Sequence, residues 1–150
     1  MKLVVQRVKK AQVKRAVDGK VVGKIGKGYF VLVGVKKGDT LQETETLAAK
    51  LLKLRVMADK SDKMNLSLKD AGGELLVVSQ FTLYADTSGG NRPSFIKAAL
   101  PEEAQKVYDH FVKKLREGLP RTGRCGVETG SFGDYMEIGC TLDGPVTILY

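Results

Sequence analysis

At 150 residues, with 43% hydrophobic and 28% charged side chains, the chain can bury a core without staples, which excludes a disordered polymer. No apolar run approaches the ~18 residues of a membrane span, and the opening MKLVVQRVKK returns to charge too soon for a signal peptide, so the cytoplasm is the expected address. Twenty-five Lys and Arg against 17 Asp and Glu leave a formal charge of +8, a balance that favours polyanionic partners such as nucleic acid.

The first third reads as strands. Leu3–Val8, Gln12–Val17 and Lys20–Gly26 are short and β-rich, and Asp18-Gly19 carries the chemistry of a type I′ hairpin turn. Tyr29–Val35 is nearly all apolar and suits a strand buried on both faces; Gly34 within it marks a bulge or a close backbone approach. A helix is predicted from Asp39 or Thr40, where Thr40 and Glu43 have capping-box spacing, with Leu47, Ala48, Leu51 and Leu54 on its apolar face.

Glu74–Leu83 reads as another buried strand, followed by the polar loop Ala85–Asn91. A second helix starts at Pro101 and buries Ala104, Val107, Tyr108, Phe111, Val112 and Leu115, with Gly118 and Pro120 ending it. His110 lies about 100° from Phe111 around that helix, the position of a surface histidine. Gly126–Tyr150 reads as two or three strands with a turn at Asp143-Gly144-Pro145. The fold class expected is a strand-rich α/β protein over residues 1–150, a single domain. Its barrel-like sheet is covered by two helices that lie too far apart for repeated βαβ units.

Two segments can carry chemistry. The first, Val77–Phe95, opens in an apolar strand that abruptly offers Ser79, Gln80 and Thr82, polar groups that must find partners when buried. They either cap the strand end or present donors to a carbonyl or phosphate. If the strand continues, Gln80 and Thr82 share one face, with Ser79 and Phe81 on the other. In Leu142–Thr147, Gly144-Pro145 joins the most permissive backbone to the most restricted; it is either an ordinary turn or a rigid presentation of backbone carbonyls. One histidine and two cysteines, Cys125 and Cys140, with no C-x-x-C pair, cannot form a zinc site without carboxylates. No metal, organic cofactor or disulfide is expected. No G-x-S-x-G elbow surrounds Ser79 or Ser94, which counts against a serine hydrolase. An RNA-binding module without catalysis would account for the charge but not for these two segments.

Taken together, GELLVVSQ running into SQFTLYAD at Ser79–Asp86, RPSF at Arg92–Phe95, KMNLSL at Lys63–Leu68 and DGPVT near the end resemble the D-aminoacyl-tRNA deacylases. So does the opening V-x-R-V with V-D-G-x-V-V-G-x-I-G-x-G. The resemblance implies an antiparallel barrel-like fold and cleavage of the ester joining a D-amino acid, or glycine, to the 3′-terminal adenosine of tRNA. It also implies a homodimer in which a cis Gly-Pro unit enters the opposite subunit's site. Carried over, Ser79, Gln80, Phe81 and Thr82 form the catalytic group. Gly144 and Pro145 come from the other chain, Arg7 orients them, and Phe132 and Met136 line the adenosine side. Leu142 stands where the family usually has asparagine and cannot make the amide's hydrogen bonds, so the loop has to be pinned differently here. Asp134-Tyr135 likewise replaces a common Ala-Asp.

The expected mechanism is positioning and electrostatic stabilisation, with donors near Phe81 and Thr82 and with Gln80. Family precedent makes the substrate's ribose 2′-OH a participant. Thr82 as a nucleophile is the competing idea and lacks an evident base.

Overall fold

The computed structural model describes residues 1–119 and 125–150. Pro120, expected to help end the second helix, lies outside them. In chain order the strands and helices are β1 Lys2–Arg15, β2 Val21–Ile25, β3 Gly28–Gly34, α1 Leu41–Lys53, β4 Met57–Ala58, β5 Met64–Leu66, β6 Glu74–Ser79, α2 Pro101–Gly118, β7 Gly126–Thr129 and β8 Met136–Leu149. The main sheet runs β2-β1-β3-β6-β7, with β8 on the other edge of β1.

The sheet is mixed, not antiparallel throughout. β1 pairs antiparallel with β2, β3 and β8, whereas β3–β6 and β6–β7 are parallel. The reason lies in the connections. α1 lies between β3 and β6, and α2 between β6 and β7, so each helix belongs to a crossover that returns the chain in the same direction. The expectation that the helices lie too far apart for βαβ units therefore fails: the long segments between them are absorbed by the small β4–β5 pair and by irregular loops.

Two cores follow from alternation along the strands. On one face, Leu3, Val5, Tyr29, Val31, Val33, Leu75 and Val77 pack beneath α1 and α2. On the other, Val8, Ala11, Val13, Ile25, Phe30, Leu76 and Val78 fill the inside of the curled sheet. β1 serves both. Where two separate strands were expected, one strand of 14 residues runs through Lys9-Lys10 with a register shift between Val8 and Lys10. That extra residue lets even-numbered Val8 and odd-numbered Ala11 and Val13 share a face.

Local chemistry fixed the helices as expected. Glu43 N–H donates to Thr40 Oγ1 at 3.2 Å and Thr40 N–H to Glu43 Oε2 at 3.0 Å, the reciprocal capping box. α2 opens with Pro101 in its first turn, and all six of its expected apolar residues are buried. Phe111 is fully buried, and truncating such a side chain to alanine costs about 3–5 kcal/mol. The hairpin around Asp18-Gly19 exists, but only Gly19 has positive φ, +66°, and its N–H reaches back to Arg15 O at 2.9 Å. The connection is thus wider than a two-residue type I′ turn. No helix among the described residues is long and apolar enough to cross a membrane.

Candidate active site

β6 carries four buried apolar residues, Leu75–Val78, and then stops at Ser79, four residues short of the expected Leu83. Gln80 N–H donates to Val33 O at 2.7 Å, after which Phe81–Tyr84 turn in a 3-10 helix. Strand alternation therefore does not govern Gln80–Thr82. Gln80 O accepts from Leu83 N–H at 3.3 Å, and Thr82 O from Ala85 N–H at 3.0 Å. The N–H groups of Phe81 and Thr82 have no backbone acceptor among the described residues, as the first turn of any helix requires. The turn sits close to Gly34, where a Cβ would lie 3.0 Å from Leu83 Cβ and 3.3 Å from Gln80 O; this is the close approach that Gly34 signalled. Gln80 Nε2 donates to Thr82 Oγ1 at 2.5 Å, and Phe81 stacks edge-on against Phe95 at 5.0 Å between centroids.

Beside this turn opens a largely apolar cavity of about 830 Å³. Ser79, Gln80, Phe81, Phe132 and Met136 all reach its walls, so five of the expected site residues come together. Thr82 is not a wall residue and meets the cavity through Gln80. The far wall is held to β6 by a shared acceptor: Val77 O receives Tyr108 Oη–H at 2.9 Å and Gly130 N–H at 3.0 Å. Tyr108 in turn packs its ring 5.8 Å from that of Phe132. Asp134 accepts from Ser131 Oγ at 2.5 Å, and neighbouring Tyr135 is 85% exposed at the rim.

The wall formed by Phe95, Ile96, Leu100, Pro101 and Ala104 escaped the sequence reading. An available signal was the apolar run before α2, which has no periodicity of its own and leaves Ile96 75% and Leu100 67% exposed. The loop leading to it is closed by Asp86, which exchanges two backbone hydrogen bonds of 2.8 Å with Ser94 and receives Lys97 Nζ at 2.7 Å. Lys97 foremost, with Ser88, holds the Asp86 carboxyl well below the usual carboxylate range.

Gly144 and Pro145 are elsewhere: neither lines the cavity of its own chain. The expected turn between strands is instead a bulge within β8. Val8 pairs with Leu142 and Gln6 with Thr147, so four residues of β8 oppose Arg7 alone. The Gly144-Pro145 peptide is cis, and Gly144 has φ +136°. Arg7 anchors the bulge, with Nε 3.1 Å from both the backbone oxygen and the Oδ2 of Asp143 and Nη1 donating to Val56 O at 2.7 Å. Nearby, burial pushes the Tyr29 hydroxyl up to about 12, so it stays neutral beside Arg7.

His110 serves the helix layer. Its Nε2 lies 2.9 Å from Glu45 Oε1, joining α2 to α1, and it does not line the cavity. Cys125 and Cys140 are free thiols, the first half-buried and the second exposed.

A mixed sheet under two crossover helices, with an apolar cavity at the end of a central strand, defines an α/β protein with a small-molecule-sized site at a strand terminus. The profile of one family, described as D-Tyr-tRNA(Tyr) deacylase, matches residues 4–150. Proteins named D-aminoacyl-tRNA deacylase from Clostridium acetobutylicum and Kosmotoga olearia are each 51% identical over 149 residues, covering 99% of this chain and 95% of theirs. A solved structure named c-Myc DNA Unwinding Element Binding Protein superposes with a TM-score of 0.90 at 40% identity, covering 100% of this chain and 97% of that one. A probable eukaryotic D-amino acid tRNA deacylase shares the fold at a TM-score of 0.81 and 17% identity, covering 99% and 97% of the two chains. The chain belongs to the D-Tyr-tRNA(Tyr) deacylase family.

Proposed function

We propose that this chain is an enzyme that hydrolyses the ester bond of D-aminoacyl-tRNA, releasing free D-amino acid and tRNA, in the cavity beside the Ser79–Thr82 turn. The observation that carries the reading is the turn itself: two backbone N–H groups without backbone partners, next to Gln80, at the edge of an apolar cavity. Donors fixed by the fold act on developing carbonyl charge without reorganising, and one such donor is commonly worth ~10²–10³ in rate. Ser79, Gln80, Phe81 and Thr82 orient the ester, and the substrate's own ribose 2′-OH takes part in place of a protein nucleophile. Phe132 and Met136 receive the adenosine. An aminoacyl ester is already activated, so this modest assistance suffices.

Selection of handedness comes from Gly144 and Pro145 of a second copy, in a homodimer with the site at the subunit interface. In support, the bulge lies away from its own chain's cavity, and β8 leaves Ile138, Leu142 and Leu149 exposed along an edge strand, an arrangement proteins normally cover. The two carbonyls bind the α-ammonium group and leave no volume for an L side chain. Exclusion of this kind cannot reject glycine, so glycyl-tRNA is also a substrate. The reaction belongs to the cytoplasm, where aminoacylated tRNA is used.

A deacylation assay on D-tyrosyl-, glycyl- and L-tyrosyl-tRNA tests the reading. The first two should be cleaved and the third spared. Comparable cleavage of the L and D esters removes the exclusion argument, and no cleavage of any of them removes the enzyme.

A further inference from the structure

The cavity's mouth has a cation that the reaction does not use. Lys37 is the one lysine or arginine among the described residues that reach the cavity walls. It stands with Lys36 on a short segment tied down at both ends. Lys36 N–H donates to Asp39 Oδ2 at 2.7 Å, Lys37 N–H to Lys97 O at 3.2 Å, and Lys36 bridges Ala98 in antiparallel fashion. Both side chains are exposed. Among the described residues neither forms a salt bridge, although several of their neighbours do. Lys97 is paired with Asp86, Lys2 donates to Leu83 O, and Asp39 holds the N-terminal ammonium. The carboxylates closest to the pair in effect are Glu43, which Lys36 reaches electrostatically, and Asp134, which lines the cavity wall and is bonded to Ser131. Lys37 on the cavity wall, with exposed Lys36 beside it on the same anchored segment, presents positive charge to anions arriving from outside.

We propose that Lys36 and Lys37 bind the backbone phosphates of the single-stranded 3′ end of the tRNA as it leaves the cavity. The inference rests on the deacylase reading above. A substrate whose terminal ester lies beside Ser79–Thr82 must thread its remaining nucleotides out past the rim, and each adds one phosphodiester charge. The lysines grip the strand without reading its sequence, because phosphate contacts position and do not specify.

Two substrates separate this role from a structural one: D-tyrosyl-tRNA, and D-tyrosyl adenosine ester, which has the same scissile bond and no phosphate. In the Lys36→Ala/Lys37→Ala double variant the ratio of kcat/KM for the tRNA to that for the adenosine ester should fall about tenfold, mostly through KM. The dependence of log KM on log salt for the tRNA should flatten by roughly 0.7 per lysine removed, the single-strand value for one phosphate neutralised. Lys37→Arg should restore most of the ratio. An unchanged ratio and salt slope overturn the proposal, as does an equal loss on both substrates. A wild-type chain inert on both substrates overturns the deacylase reading, and this proposal with it.

Discussion

The turn after β6 and the bulge in β8 both hold main-chain groups away from regular pairing, and they are held in opposite ways. Ser79–Thr82 is fixed by its own chain on several sides: Val33 O behind it, Gly34 beneath it, the Gln80–Thr82 bond across it and Phe95 over Phe81. Its shape is a by-product of the core. Asp143–Val146 stands on an edge strand, exposed or half-buried throughout, with Arg7 as its side-chain anchor. Its shape depends on one guanidinium and on whatever lies against it. The comparison teaches that the half of a site which needs only backbone donors can be built into a sheet. On the proposed function, the half that meets the substrate of a second copy is carried where the sheet ends.

If that division is right, damage to the bulge should remove activity and spare the fold. Gly144→Ala is the sharpest case, because a Cβ there would lie 2.7 Å from Val146 N and 2.9 Å from Val146 Cγ2, at φ +136°. The backbone has to shift to relieve these contacts, and a misplacement of about 1 Å costs on the order of 10²-fold in kcat/KM for D-tyrosyl-tRNA, while the melting temperature should fall by no more than about 4 °C, the shift produced by roughly 1 kcal/mol in a chain of this length. A drop beyond 10 °C, on the order of several kcal/mol, would make the bulge part of the core and break the contrast.

Arg7→Lys comes next. Lysine keeps the charge but has no planar fork to reach Val56 O and Asp143 together; deacylation should fall about tenfold, and wild-type rates would show that something else holds the bulge. On the turn, Thr82→Ala removes one partner of Gln80 and no backbone donor, so kcat should drop less than tenfold. Loss of about 10³ or more, or isolation of an acyl ester on Thr82, would make the hydroxyl a nucleophile.

The smallest effect concerns the loop beside the cavity. The Asp86 carboxyl is depressed in the fold relative to the unfolded chain, so its contribution is fully present above the ordinary aspartate value of about 3.9 and is lost as pH falls through the lower, folded value. Hydrogen exchange at the Asp86 and Ser94 amides should therefore be flat from neutral pH down to about pH 4, after allowance for the intrinsic exchange rate, and quicken below it. Asp86→Asn should show the faster exchange already at neutral pH. Equal protection in both chains at pH 7 would remove Asp86 as the clasp.

Legibility in the sequence divides along similar lines. The capping box at Thr40, the six buried residues of α2 and the doubly buried β3 follow from patterns within about two helical turns or one strand, and the structure has them where they were read. Five residues on the cavity wall were expected from the family resemblance, whose motifs place them in two short segments, Ser79–Phe81 and Phe132–Met136. The end of β6 at Ser79 was not legible, since FTLY has strand composition, and only the close fit over Gly34 diverts it into a 3-10 turn. Phe95, Ile96 and Leu100 look like loop residues until α2 and the Gly130–Met136 segment are in position around them.

The amino-acid sequence by itself determined the helices, the buried strands, the excess of positive charge and the family, because each is written in neighbouring residues or in motifs of fixed order. Tertiary structure alone decided that β6 and β7 run parallel to β3, and that four residues of β8 bow out opposite Arg7. Arg7 and Asp143 lie 136 positions apart. Their meeting depends on the register between two 14-residue strands, and register is set by the whole packed sheet, not by any local run of side chains.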